Sequence, residues 1–174
     1  MNLCIDIGNT RTKAALFEGK QEIEYFPALK PKDLEDLFTS NPSLNVWVAR
    51  SGADLEIQKY LEQKAQWNVL GHETIMPIQL NYKTPHSLGS DRLAAAIGAS
   101  NLYPKQDVAI IDLGTCLTLD VVDAAGVYQG GLISPGIHMR FKAMHDYTAG
   151  LPLVNFNDKI TYPGKSTEES MQLG

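Results

Sequence analysis

The chain has 174 residues, 44% of them hydrophobic, and a formal net charge of −5. That length holds one large domain or two small ones and enough apolar mass for a real core. The acidic balance argues against the basic stripe of a nucleic-acid-binding protein, so no nucleic-acid partner is expected. No apolar run is long enough to span a bilayer, and no membrane partner is expected. The start, Met1-Asn2-Leu3, lacks the basic residues and long apolar stretch of a secretory signal, so a cytoplasmic location is expected. The two cysteines, Cys4 and Cys116, fall in predicted buried strands and read as small core hydrophobes in a reducing compartment.

In chain order, residues 3–7 read as a strand, with 12–17 and 22–26 as hairpin partners joined through Glu18-Gly19-Lys20. Pro31 opens a helix with Leu34, Leu37 and Phe38 on one face, ended by Asn41-Pro42-Ser43. Val46-Trp47-Val48 is a short buried strand. Asp54 can cap the next helix, whose apolar stripe is Ile57, Tyr60, Leu61 and Ala65. Residues 71–89 read as one long irregular segment, and such segments are usually functional or disordered. Ser90 can cap a helix through Leu93, Ala94, Ile97 and Leu102, stopped by Pro104. Strands at 107–111 and 117–122 follow, then a turn at Ala124-Ala125-Gly126, and Val127-Tyr128 leading into Gly130-Gly131. Pro135-Gly136 opens a helix with Phe141, Met144 and Met139 inward, broken by Leu151-Pro152. A last helix begins at Glu168. A chain that stops as a helix begins reads as missing C-terminal residues.

One unit occurs twice: a short apolar strand, a carboxylate, a glycine, a hydroxyl and a second strand. The first copy is Asp6-Ile7-Gly8-Asn9-Thr10, and the second is Asp112-Leu113-Gly114-Thr115. Glycine lets the backbone turn tightly and approach a ligand. Hydroxyls and freed N–H groups can hold phosphate oxygens, while the carboxylate holds a bridging metal. Two such turns suggest two halves gripping one nucleotide phosphate chain. A single Asp at a strand end is more simply an Asx cap, and Lys13 alone a solvated strand lysine; the repetition shifts the balance.

Gly89-Ser90-Asp91-Arg92 opens a helix after the irregular segment. In the bland reading Asp91 complements the helix dipole and Arg92 makes a weak surface ion pair. In the sharper one Arg92 grips a substrate carboxylate and Asp91 accepts the proton of a hydroxyl attacking phosphorus. The run from Gly130 to Gly136 is not a Walker loop, because no Gly-Lys-Ser or Gly-Lys-Thr closes it. His72, His86, His138 and His145 lack metal-ligand spacing, with His86 notable for lying just before Gly89.

Taken in order, these pieces resemble the type III pantothenate kinases of the acetate and sugar kinase, heat-shock chaperone and actin superfamily. The similar segments are residues 6–13, Pro85 with Gly89-Ser90-Asp91-Arg92, Asp112-Leu113-Gly114-Thr115 with Thr118 and Asp120, Gly130-Gly131, Ile133, Pro135-Gly136, Thr148-Ala149-Gly150-Leu151-Pro152 and Gly164-Lys165-Ser166-Thr167. The resemblance implies an α/β fold of duplicated ribonuclease H-like (actin-like ATPase) domains with mixed sheets, at 1–105 and 106–174, the second truncated. It implies ATP-dependent phosphorylation of pantothenate to 4'-phosphopantothenate, the first step of coenzyme A biosynthesis. Carried over, Asp6, Ile7, Gly8, Asn9, Thr10, Arg11, Thr12, Lys13 and Thr115 face ATP, with Asp6 near Mg²⁺. Tyr82, Gly89, Ser90, Asp91, Arg92 and Thr167 face pantothenate, Asp91 as proton acceptor, and Asp112 holds a potassium or ammonium ion. A homodimer is implied. Cys116 stands where the family usually has alanine, and Val48-Ala49-Arg50-Ser51-Gly52 departs from the usual Ser-Ser-Val-like segment. Alternatives are a non-catalytic accessory protein on the same scaffold and another small-molecule kinase of the superfamily.

Overall fold

Period-two burial builds the first sheet. In β1 (Asn2–Ile7), Leu3, Ile5 and Ile7 are buried while Cys4 is exposed and Asp6 half-buried on the opposite face. In β2 (Thr12–Glu18), Thr12, Ala14 and Leu16 are buried and Lys13 is exposed. A computed structural model describes residues 1–64, 66–159 and 161–174. It adds β3 (Gln21–Phe26), β4 (Asn45–Arg50) and β5 (Trp67–Val69), giving a five-stranded sheet in the order β3-β2-β1-β4-β5. The β1–β2 and β2–β3 pairs are antiparallel, whereas β1–β4 and β4–β5 are parallel.

Helices α1 (Pro31–Ser40) and α2 (Leu55–Lys64) supply Leu34, Leu37, Ile57 and Leu61 to one core with Leu3, Ile5, Ile7, Val46 and Val48. Phe38 and Tyr60 stack at its edge with ring centroids 6.2 Å apart. Desolvation, then the nearby Glu35 and Asp36 carboxylates, raise the Tyr60 pKa. Asp54 caps α2, its Oδ1 accepting the Ile57 N–H at 3.2 Å, as its position before an apolar-periodic run predicts. Ala65, expected on the same stripe, lies outside the described residues.

The segment 71–89 is less irregular than expected. It contains β6 (Gln79–Leu80) and a 3-10 turn at Pro85–Ser87. Backbone bonds from the Gln79 N–H to the Gly126 carbonyl and from Asn81 to Tyr128 hold β6 in place, a tertiary cause that a two-residue strand cannot display in sequence. Helix α3 (Ser90–Leu102) follows, and Ser90 is its first residue rather than its cap; Gly89 holds the cap position. The Ser90 hydroxyl is engaged elsewhere, accepting the Arg50 N–H and donating to the Arg50 carbonyl at 3.0 Å.

The second sheet has the order β6-β9-β8-β7, with β7 (Val108–Leu113), β8 (Cys116–Val122) and β9 (Val127–Pro135). Gly130-Gly131 lies inside β9. Helices α4 (Ile137–Asp146) and α5 (Thr167–Leu173) complete five α-helices among the described residues. In α4 Phe141 is buried as expected, but Met139 is 40% exposed, since only one narrow stripe of this helix is covered. The helix ends before Leu151-Pro152, which therefore does not break it.

The chain divides into two units. The first is Met1–Val108 with Val121–Gly130; the second is Ala109–Asp120 with Gly131–Gly174. Among the described residues of the second unit, the buried apolar side chains are Phe141, Val154 and Met171, while Ile111, Leu113, Leu132 and Ile133 are exposed.

Candidate active site

In the first unit, the β1–β2 register pairs Asp6 directly with Lys13. Side chains of directly opposed residues share a face, so carboxylate and ammonium stand together on the side of the sheet away from the core. Cys4 is on that face too, and is exposed rather than buried. The alternation Leu3, Ile5, Ile7 already places it there. Desolvation by the surrounding sheet raises its thiol pKa, so exposure gives a reagent access while the fraction of thiolate stays low.

The turn after Asp6 is closed by the Gly8 N–H donating to the Arg11 carbonyl at 3.1 Å, with Asn9, Thr10 and Arg11 exposed. Ile7 is a core residue whose carbonyl accepts both the Ser51 and Gly52 N–H groups, at 3.0 and 2.9 Å. Thr12 is buried; its hydroxyl donates to Asp54 Oδ2 at 2.6 Å, tying the turn to the head of α2. Gly52 presses against the same turn: a Cβ at residue 52 would lie 2.2 Å from the Gly8 carbonyl oxygen. The contact joins residues 44 positions apart and has no local sequence signal, although Gly52 itself stands in the segment already marked as unusual.

At the head of α3, the Asp91 carboxylate accepts the Arg92 N–H at 2.8 Å and folds back over Gly89. A Cβ at residue 89 would sit 2.5 Å from Asp91 Oδ1, so the missing side chain at 89 is what leaves the carboxylate this position. Arg92 is buried beside it. Tyr82, half-buried, is seated against Tyr128 with ring centroids 5.9 Å apart. Asp6, Lys13, Tyr82, Asp91 and Arg92 thus all belong to the first unit.

In the second unit, Asp112 and Thr115 are both exposed at the turn between β7 and β8, which the Gly114 N–H closes by donating to the Cys116 carbonyl at 2.9 Å. Here too a later glycine is pressed against the turn. The Gly136 N–H donates to the Thr115 carbonyl at 3.1 Å, and a Cβ at residue 136 would lie 2.4 Å from that oxygen. Asp120, in β8, is almost wholly buried. Thr167 is exposed at the start of α5, whose cap Ser166 accepts the Glu169 N–H. An open pocket of about 550 Å³, lined by Lys159, Tyr162, Lys165, Ser166 and Glu169, lies beside it in sequence. Among the described residues no cluster of three or more His, Cys, Asp or Glu side chains could hold a metal ion. No described helix is long and apolar enough to cross a membrane.

Two mixed sheets, five helices and carboxylate-bearing strand turns define an α/β protein of a kind compatible with the actin-like, ribonuclease H-like scaffold. A solved Campylobacter jejuni protein, assigned to the Baf family of transcriptional activators, superposes with a TM-score of 0.60. It covers 98% of this chain and 71% of its own at 21% identity, a likeness of fold. The model of the type III pantothenate kinase family matches residues 2–174, and the chain belongs to that family. Among its relatives are type III pantothenate kinases of Flavobacterium johnsoniae and Phocaeicola vulgatus. Each is 41% identical over the whole of this chain, which covers 73% and 74% of their lengths.

Proposed function

We propose that the chain transfers the terminal phosphoryl group of ATP to the terminal hydroxyl of pantothenate, yielding 4'-phosphopantothenate for coenzyme A synthesis. The observation that carries this reading is the head of α3, where Gly89, Asp91 and Arg92 stand together in a member of this family. Phosphoryl transfer asks a protein mainly for positioning and for charge placed where charge develops. Asp91, held over Gly89, accepts the hydroxyl proton as that oxygen bonds to phosphorus and the bond to the ADP oxygen breaks. Arg92 sets a positive potential for the anionic acceptor, and Tyr82 adds a contact, with the Gly89 and Ser90 backbone alongside; Thr167 is the acceptor-binding residue this reading assigns in the second unit.

In the first unit the turn from Asp6 to Lys13 is the phosphate-holding element of this reading, and in the second unit Thr115 is its nucleotide-binding residue. Asn9, Thr10 and Arg11 are open to a ligand, Gly8 permits close approach, and Ile7 and Thr12 brace the turn from beneath. Asp6 offers the hard oxygen donors that Mg²⁺ prefers, opposite a lysine that can meet a phosphate. Mg²⁺ bound with ATP would neutralise charge on its phosphates. The exposed Asp112 carboxylate suits a potassium or ammonium ion. A homodimer of two ribonuclease H-like halves per chain, working in the cytoplasm, accompanies this reading.

A coupled ADP-release assay tests it. ADP should appear with Mg-ATP only when pantothenate is present. Release that ignores pantothenate, or that follows a sugar or acetate instead, contradicts the reading.

A further inference from the structure

Capping α2 occupies one carboxylate oxygen of Asp54. The fold gives the other oxygen a partner 42 residues away, the Thr12 hydroxyl, which donates to Asp54 Oδ2 at 2.6 Å. That length is typical of a hydroxyl bonded to a charged acceptor. Thr12 is buried and Asp54 half-buried, so the bond is sheltered from water.

Thr12 is the residue of the phosphate-holding turn that immediately precedes Lys13, and it is held at three points. Its side chain meets Asp54, its carbonyl accepts the Leu29 N–H at 2.8 Å, and its backbone pairs with Ile7 across the β1–β2 ladder. Successive strand residues point to opposite faces, so Thr12 lies on the core side and Lys13 on the side that carries Asp6. Fixing Thr12 from beneath fixes where the Lys13 side chain begins. Ser51 and Gly52 reach the same turn through backbone alone, giving their N–H groups to the Ile7 carbonyl. Asp54 adds a side-chain contact and a charge. Arg50 serves a different element: its N–H and carbonyl both bond the Ser90 hydroxyl at the head of α3, and with His72 and His86 it lines an open pocket of about 430 Å³.

We propose that Asp54 is a positioning residue for the nucleotide. It acts through Thr12, keeping the turn and Lys13 in the register in which a phosphate chain is met. The inference rests on the reading of residues 6–13 as the phosphate-holding element. The Asp91 corner is held through Ser90 and Arg50, so the effect of Asp54 falls on Mg-ATP and not on pantothenate.

The test separates the brace from the cap, using the full chain in steady-state turnover, in calorimetry with Mg-ATP and in urea unfolding. Asp54→Ser keeps a good helix cap but has one oxygen and a shorter reach, so it cannot serve Ile57 and Thr12 together. It should unfold close to the wild type and bind Mg-ATP about tenfold more weakly, because a charge-assisted hydrogen bond is lost. Its KM for Mg-ATP should rise to match, with kcat and the KM for pantothenate within about twofold of wild type. Thr12→Val removes the donor of the same bond and leaves the cap intact, so it carries the same comparison even where Asp54→Ser does not fold. It should weaken Mg-ATP binding by a similar factor, and the double variant Thr12→Val/Asp54→Ser should bind no more weakly than either alone. Unchanged Mg-ATP affinity in the single variants overturns the inference. So do additive losses in the double variant, or KM values that rise equally for both substrates, the mark of a general loss of structure. These results leave the kinase reading standing. A wild-type chain that does not bind Mg-ATP overturns both together.

Discussion

Gly52 and Gly136 meet their turns in the same way. Each follows the strand that runs past an acidic turn, and each gives its N–H to a carbonyl of that turn at a distance that leaves no room for a side chain. A methyl group at either position must push backbone aside, not a flexible side chain. Gly52→Ala and Gly136→Ala are each expected to cost about 1–3 kcal/mol in denaturant unfolding and to weaken Mg-ATP binding in calorimetry. Unchanged stability and affinity would show that the turns tolerate displacement. Asp91→Asn keeps the size of the side chain and removes its capacity to take a proton. Its kcat should fall about 10²–10⁴-fold with pantothenate binding little changed, and near-normal turnover would remove Asp91 from the base role. The wild-type enzyme is expected to turn over faster in potassium than in sodium, and Asp112→Asn should abolish that preference; equal wild-type rates in both salts contradict the cation role.

Elements were legible where their pattern is local and long enough to repeat. β1, β2, β4 and α1 follow directly from alternation, from Pro31 and from the Leu34, Leu37 pair. β5 and β6 did not emerge, because three and two residues carry no measurable period and their pairing is imposed by β4 and β9. Ser90 looked like a cap because hydroxyls usually are; its hydroxyl instead bonds β4, a partner 40 residues away. The alternation did contain the exposure of Cys4, which a preference for buried cysteine overrode. Asp54 joins two elements by capping α2 and receiving the Thr12 hydroxyl, so Asp54→Ala should lower stability by about 1–2 kcal/mol in urea unfolding, with no loss if the cap is redundant. Asp123 organises the turn between β8 and β9. The Val127 N–H, then the Gln129 side chain, hold its carboxyl below the ordinary aspartate range against an opposing desolvation, with the Ala125 N–H adding the least. Its folded value is depressed, so that stabilisation is present above the ordinary value and is lost as pH falls through the depressed one.

At the scale of the whole molecule, the first unit has a continuous apolar core under its five-stranded sheet and holds both the Asp6–Lys13 pair and the Asp91 corner. The candidate site was legible there as motifs, because glycine, carboxylate and cation recur at short spacing. The pocket lined by Arg50, His72 and His86 was not, because these residues are brought together only by folding. The measurement that bears most directly on the account is mass analysis of the products formed from pantothenate and Mg-ATP in potassium buffer. The account predicts pantothenate bearing one added phosphoryl group from the wild-type chain and a trace at most from Asp91→Asn. Equal product from both proteins, or none from a wild-type chain that binds both substrates, would contradict it.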